Sequence, residues 1–239
     1  MEKEKATIKG VTHLAVIMDG NGRWARDRGK RREFGHRKGA ENLRQLCVLC
    51  RERQIRYVTV YAFSTENWRR PRTEVNSLMR LFSQYFRKYA NEMEEEGIRL
   101  RFMGEREELP ADVVATMDYA EESSRERTEL QLIIAFNYGG RREIVAAAQK
   151  AANGLASGEL EAGALTEEAF ARFLYLPDVP EPDLLIRTGG ESRLSNFLLW
   201  QAAYTEFYME DCLWPDFGAE QLDRALMDYE SRQRRFGGI

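Results

Sequence analysis

The segment His13-Leu-Ala-Val-Ile-Met-Asp-Gly-Asn-Gly-Arg-Trp-Ala25 constrains the chain more than any other stretch. Its apolar run, Leu14 to Met18, has the length and branching of a buried strand. The run ends on one carboxylate, Asp19. Gly20, Asn21 and Gly22 then permit a tight turn, and Arg23 and Trp24 stand where a helix can begin. Backbone N–H groups exposed by such glycines, together with the positive end of a helix, can hold an anion. Asp19 repels a bare phosphate, so it makes sense beside one only with a cation such as Mg2+ between them. Two other readings compete. A capped strand-to-helix turn needs the same residues. Gly20-x-Gly22-x-x-Ala25 also fits the dinucleotide fingerprint, but that motif wants an acidic residue about 20 positions on, at the end of the next strand. Here the nearer segment, 30–38, is basic and the next strand comes only at 57–63.

Further along, apolar periodicity alternates between helix and strand. Helical spacing runs over 38–54 through Leu43, Leu46, Cys47 and Cys50. Residues 57–63 are β-branched and aromatic, hence a strand, and end in the polar stretch 64–71. The strongest helix is 74–96, with Val75, Leu78, Met79, Phe82, Tyr85, Phe86, Tyr89 and Met93 on a broad face and Gly97 at its end. A strand over 98–102 has one wetter face. Then come a helix over 110–127, a buried strand over 130–136, a helix over 141–152 and a small-residue loop over 153–163. Thr166 caps a short helix. A strand follows at 183–187 and a polar loop at 188–195. Residues 196–209 are ambiguous between helix and strand, and a helix over 218–235 closes the chain. No repeat, linker or low-complexity segment interrupts this order. It predicts one α/β domain, a mostly parallel sheet of about six strands with helices on both faces.

In such sheets ligands bind beyond the carboxyl ends of the strands. Asp19, Asn21, Arg23, Trp24, Arg32 and His36 follow the first strand; Ser64, Glu66, Asn67, Trp68 and Arg70 the second; Asn137, Gly139, Gly140 and Arg141 the fourth; Arg187, Gly189, Gly190, Arg193 and Ser195 the fifth. Several guanidiniums and glycine turns around few carboxylates suit more than one phosphate group. With a net charge of −3, the anion site must come from local clustering. No G-x-x-x-x-G-K-[ST] exists for a P-loop, and Gly189-Gly190-Glu191-Ser192 misses the G-x-S-x-G elbow. Nucleic acid is not expected, since basic surplus and interleaved aromatics are absent. Cys47 and Cys50 read as core rather than zinc ligands. Three cysteines, no apolar run of about 18 residues and no signal-like N-terminus point to the cytoplasm.

The segments 13–25, 61–71, 137–142, 183–204 and 214–217 together resemble the cis-prenyltransferases over about 12–238, and the chain lacks the DDxxD pairs of trans-prenyl synthases. The resemblance implies a single domain over 1–239, with 1–11 a flexible N-terminal segment and a hydrophobic tunnel for the substrate tail. It implies a Mg2+-dependent homodimer that condenses isopentenyl diphosphate repeatedly onto farnesyl diphosphate, making a polyprenyl diphosphate, the precursor of the cell-wall lipid carrier. Association with the inner face of the membrane would come through the lipid product. By the same resemblance Asp19 is catalytic and linked to Mg2+, with Glu206 a second metal ligand shared across the dimer. Gly20, Asn21, Gly22, Arg23, Arg32 and His36 cradle the allylic diphosphate, with Trp24 against the substrate. Ser64, Thr65, Glu66, Asn67 and Trp68 lie between the two diphosphates. Arg187, Arg193, Leu194 and Ser195, with Arg70 nearby, clamp isopentenyl diphosphate. Asn67 is the family's proton acceptor, but a neutral amide is no base near pH 7, so it is read here as orienting or relaying. Ser192 stands where relatives often carry His. Ala62 and Phe136, with Met79, Phe82 and Phe86 opposite, are expected along the tunnel wall. A different class, a non-catalytic partner subunit, would be expected to lose Asp19 or the arginines; this chain keeps them.

Overall fold

The computed structural model describes residues 10–92, 95–161 and 163–232. Six strands form one sheet: β1 (His13–Ile17), β2 (Tyr57–Ser64), β3 (Ile98–Met103), β4 (Leu130–Tyr138), β5 (Leu184–Arg187) and β6 (Glu206–Met209). Their order is β3-β4-β2-β1-β5-β6, and every pairing is parallel. Seven helices connect them: α1 (Asn21–Asp27), α2 (Arg32–Glu52), α3 (Arg72–Glu92), α4 (Ala111–Ser123), α5 (Gly140–Ser157), α6 (Glu167–Ala171) and α7 (Ala219–Ser231). Parallel strands need such crossovers, and burial on both faces explains why β1 is buried at all five positions.

Alternation along the strands splits the core. Leu14, Val16, Val58, Val60, Leu132, Ile134, Leu184 and Ile186 meet α2, α3, α4 and α7 on one face. Ala15, Ile17, Ile133, Ala135 and Leu185 meet Phe197, Leu198 and Ala202 on the other. α5 is tied to that second side by Glu143, itself buried, which accepts from Tyr138 Oη (2.5 Å), Tyr175 N (3.1 Å) and Gln201 Nε2 (3.1 Å). Cys47 and Cys50 are fully buried on α2, and burial pushes the Cys47 thiol up to about 12, as a core role requires.

Several boundaries differ from the sequence pattern. α2 starts six residues earlier than 38, inside the basic stretch. α5 runs on to Ser157, where Gly158 (φ 80°) ends it, so half of the expected loop is helix. Within 196–209 only Glu206–Met209 is regular; Ser195, Asn196 and Leu198 take left-handed backbone (φ 51°, 66° and 45°). Of the segment expected to be flexible, residues 1–9 lie outside the described residues, but Val11 is buried in the core and Tyr229 Oη donates to Gly10 O (3.4 Å). Met93 and the side chain of Tyr89 also lie outside what is described.

Candidate active site

The carboxyl ends of β1, β2 and β5 converge. Gly20 turns the chain out of β1 at φ 107°, a conformation unfavourable for any residue with a Cβ, which here would also press on Leu213 at 2.8 Å. α1 then packs tightly on α2: a Cβ at Gly35 would stand 2.0 Å from Asn21 O, and one at Gly39 2.1 Å from Asn21 Oδ1. Those two missing side chains let the α1–α2 corner close. α1 has only seven residues, so the positive character of the site comes from side chains rather than from its N-terminus.

Asp19 is anchored through its main chain. Its carbonyl accepts from Thr188 Oγ1 (2.7 Å) and Trp214 N (3.0 Å). Its carboxylate takes Arg187 Nη2 at 2.8 Å and Arg23 Nη2 at 3.4 Å. Arg187 is buried, and its Nη1 donates to Ser195 Oγ (2.7 Å) and to the Arg193 carbonyl. Burial pushes the Asp19 carboxyl upward. The Arg187 hydrogen bond and charge, then Arg23 and the Gly20 N–H, outweigh it and hold the group below the ordinary carboxylate range. Asp19 is therefore ionised at neutral pH.

Three cavities meet beside Asp19, at Met18, Asn21 and His36. The first, about 480 Å³, is lined by Asp19, Gly20, Asn21, Gly22, Arg23, Arg26, Lys30, Arg32, His36 and Arg70, five cations to one carboxylate. A second, about 230 Å³, is lined by Asp19, Ser64, Asn67, Arg70, Arg187 and Ser195 with Tyr61 and Ala62. A third, about 110 Å³, is mostly apolar: Leu43, Ala62, Leu78, Leu81, Phe82, Phe86 and Phe136 line it, with Met18, Asn21 and His36 shared with the other two. Phe136 stands 4.0 Å from Phe82 and 5.3 Å from Phe63, ring centre to ring centre. Met79 is buried but does not line this cavity.

His36 sits where the three cavities join. Burial, then the Arg70 and Arg32 charges, lower its pKa to about 4 against the pull of Glu74, and its Nε2 has no hydrogen-bond partner among the described residues. A buried polar atom without a partner facing a cation-lined cavity is what a ligand oxygen would satisfy.

Not every residue of the sequence pattern faces these cavities. Trp24 donates to Asp216 Oδ1 (2.7 Å), stacks on Phe34 and carries Arg28 over its ring at 4.1 Å; it anchors α1 and lines none of the three. Trp68 turns inward, donating to Asn137 Oδ1 (2.8 Å) with its edge on Phe63. Asn67 Oδ1 accepts from Ser64 N (3.2 Å), which ties the loop as a cap and fits an orienting role better than a basic one. Glu66 accepts from Asn196 Nδ2 (2.8 Å), and Thr65 lies against Gly139. Arg193 reaches outward to Glu191 (2.5 Å) with 61% of its side chain exposed, and Leu194 packs on the second core. Glu206 pairs with Arg232 (2.7 Å) and stands in register with Leu184, at the end of β5 away from Arg187. One chain therefore does not bring Glu206 to Asp19. Among the described residues no three His, Cys, Asp or Glu side chains gather as a metal site. One carboxylate suits Mg2+ only where phosphate oxygens and water complete its shell.

Sequence reasoning missed Arg26, Lys30 and Glu74. Lys30 lines the first cavity with no ion pair among the described residues, while Glu74 bridges Arg70 Nη1 (2.9 Å) and Arg32 Nη1 (3.3 Å). The basic run 26–38 was the available signal for the first two.

The family model for undecaprenyl diphosphate synthase matches residues 17–237. The isoprenyl transferase of Thermotoga maritima is 50% identical over 228 residues, 95% of this chain and 97% of that protein. That of Heliobacterium mobile is 48% identical over 227 residues, 95% of this chain and 87% of that protein. Among solved structures, lavandulyl diphosphate synthase from Lavandula x intermedia, in complex with dimethylallyl diphosphate, superposes with a TM-score of 0.92 at 36% identity, covering 95% of this chain and 98% of that one. A probable undecaprenyl diphosphate synthase from Campylobacter jejuni gives 0.80 at 32%, covering 96% and 100%. The chain is an enzyme of the cis-prenyltransferase type and belongs to the undecaprenyl diphosphate synthase family.

Proposed function

We propose that the protein condenses isopentenyl diphosphate repeatedly onto farnesyl diphosphate with Mg2+, forming a long-chain polyprenyl diphosphate of about eleven isoprene units by resemblance, used as precursor of the cell-wall lipid carrier. The observation that carries this reading is the meeting of two polar cavities at Asp19, one of them also lined by Arg187, with an apolar cavity that shares Met18, Asn21 and His36 with both. The first cavity holds the allylic diphosphate through Arg23, Arg32 and Lys30, and the second holds isopentenyl diphosphate through Arg187, Ser195 and Arg70. Bond formation requires the allylic C–O bond to break with both electrons leaving on diphosphate, while the isopentenyl double bond attacks the exposed carbon and a proton is lost. Mg2+ at Asp19 would supply charge stabilisation to the departing diphosphate. The arginines share that task. Asn67 orients the second substrate, and a diphosphate oxygen takes the proton. Leu78, Leu81 and Ala62 exclude water from the growing tail.

Homodimer formation is part of the same reading. β6 is an edge strand that exposes Phe207 and Met209, with Tyr204 74% exposed just before it. A second copy on this edge would cover them, and there Glu206 and Arg193 could reach the partner's site. Among the described residues no helix is long and apolar enough to cross a membrane; we place the enzyme in the cytoplasm, at the inner membrane face through its product. A shorter product is the second reading, favoured by the Phe136–Phe82 contact that narrows the apolar cavity. Incubation with farnesyl diphosphate, labelled isopentenyl diphosphate and Mg2+ tests both: butanol-extractable label is expected, its chain length separates the two, and a folded protein yielding none refutes the proposal.

A further inference from the structure

The second polar cavity takes its walls from strands that are not neighbours. Ser64 and Asn67 come from the end of β2 and its loop, Arg187 and Ser195 from the end of β5 and its loop, and β1 lies between the two strands. β2 and β5 share no ladder hydrogen bonds, so the sheet alone does not fix the spacing of the loops beyond them. Asn196 spans that gap from outside the cavity. Its Nδ2 donates to Glu66 Oε1 in the loop after β2 (2.8 Å), and its own backbone carries Ser195 one position earlier. It lines none of the three cavities.

A third segment anchors Asn196. α5 is preceded by Gly139, which has no side chain to cap it. Asn196 caps the helix from another part of the chain: its Oδ1 accepts from Arg141 N (2.9 Å) and its carbonyl from Gly140 N (2.7 Å). Two N–H groups of the first turn, which no helix can pair internally, are thereby satisfied. The approach is close, since a Cβ at Gly139 would stand 2.8 Å from Asn196 Nδ2 and 2.7 Å from Thr65 Oγ1. The partners also fix which way the amide points, because a backbone N–H only donates and an ionised carboxylate only accepts. Burial pushes the Glu66 carboxyl up, but its own N–H, the Asn196 amide and the Ser64 and Thr65 hydroxyls outweigh this and keep it ionised. Asn196 sits at φ 66°, a left-handed conformation that asparagine tolerates better than most residues.

We infer that Asn196 is a positioning residue: braced on α5, it holds the loop after β5 against the loop after β2 and so sets the width of the cavity that takes isopentenyl diphosphate. This rests on the proposed assignment of that cavity. Asn196 acts through Ser195 on one wall, whose Oγ accepts from Arg187 Nη1 (2.7 Å), and through Glu66 on the other, in the same loop as Asn67. The first cavity is lined by residues between Met18 and His36 together with Arg70, and lacks Ser64, Asn67 and Ser195. Loosening Asn196 should therefore spare the allylic substrate.

The test is calorimetric titration of the full chain with Mg2+, using isopentenyl diphosphate and, separately, the unreactive thiolo analogue of farnesyl diphosphate. Turnover on the natural substrates is assayed beside it. Asn196→Asp replaces a donor facing Glu66 by a second carboxylate. It should weaken isopentenyl diphosphate about tenfold or more, the range for losing a hydrogen bond to a charged group, and change the farnesyl analogue by less than about twofold. Adding Glu66→Gln exchanges donor and acceptor and should recover most of that loss, a coupling that general destabilisation does not produce. Asn196→Gly keeps the left-handed backbone and deletes both side-chain bonds, so it should weaken isopentenyl diphosphate likewise even where the Asp variant does not fold. Equal weakening of both ligands, no recovery with Glu66→Gln, or a glycine variant that binds as wild type each overturns the inference, and turnover by wild type alongside any of these leaves the proposed function standing. The expected binding pattern without turnover by wild type supports the role of Asn196 and refutes the function instead.

Discussion

The chain contains two histidines, and both are held neutral. His13 is 3% exposed. Its Nδ1 donates to the Pro180 carbonyl (2.6 Å), which can only accept, so Nε2 must accept from Thr59 Oγ1 (2.7 Å). Burial lowers its pKa to about 4, against hydrogen bonding to Pro180 and the Asp183 charge, and His36 is also lowered to about 4. Each returns to 6.5 on unfolding. Between pH 6.5 and 4 the unfolded chain therefore binds protons that the folded chain refuses, and stability falls as pH falls through this window. Each histidine should cost about 2 kcal/mol between pH 7 and pH 5, somewhat less for the partly exposed His36. The carboxylates lowered in the fold, Asp19 and Asp178 among them, act only at lower pH. Urea unfolding measured between pH 5 and 7 should show uptake of nearly two protons, and His13→Asn should remove about one of them. A stability curve flat across that range would refute the argument that burial, rather than pairing, governs these rings.

Asp19→Ala should lower turnover by about two to three orders of magnitude, the range for removing one group that stabilises developing charge. Circular dichroism should still show the fold, because the main-chain bonds to Thr188 and Trp214 remain; near-normal turnover would make the segment a structural turn. Glu74→Gln should tighten binding of inorganic diphosphate, measured by calorimetry, by about five- to thirtyfold, since two partly exposed ion pairs of roughly 0.5–1 kcal/mol each no longer compete for Arg32 and Arg70. Weaker binding would mean that Glu74 orients the arginines instead. Ala62→Leu should shorten the product while sparing the first condensation, as read by chromatography of dephosphorylated lipids; an unchanged length in an active variant would remove Ala62 from the wall.

The parts of this fold most legible in the sequence are those where burial acts on consecutive residues. β1, β2 and β4 carry branched or aromatic runs that only a covered sheet accommodates. The start of α2 is not legible, because Gly35 and Gly39 weaken local helix propensity and are explained only by the approach of Asn21, more than ten residues earlier. Strand order is likewise set by crossovers that periodicity does not encode. At the site, Asp19 and Arg187 follow from their places at strand ends. Trp24 and Trp68 do not, since a tryptophan in a functional motif serves equally as an anchor, and here Trp24 donates to Asp216 and Trp68 to Asn137. Lys30 is invisible because an exposed lysine in a basic run has no face until α1 and α2 fold against each other.

The position of β1 in the middle of the sheet also governs the order in which the enzyme comes into being. β1 pairs with β2 on one side, but its other flank waits for β5, and Asp19 waits for Arg187, 168 residues later. At a synthesis rate of about 5–20 residues per second, the ribosome takes roughly 10–30 s to deliver that partner. Throughout this interval the nascent chain presents an unpaired parallel edge, apolar at four of its five residues, and a carboxylate without its arginine. Long-range parallel pairing of this kind is slow and aggregation-exposed. A chain interrupted before β5 thus lacks half of its reaction centre and the cover for its central strand, which makes it inert and a natural client for a holdase.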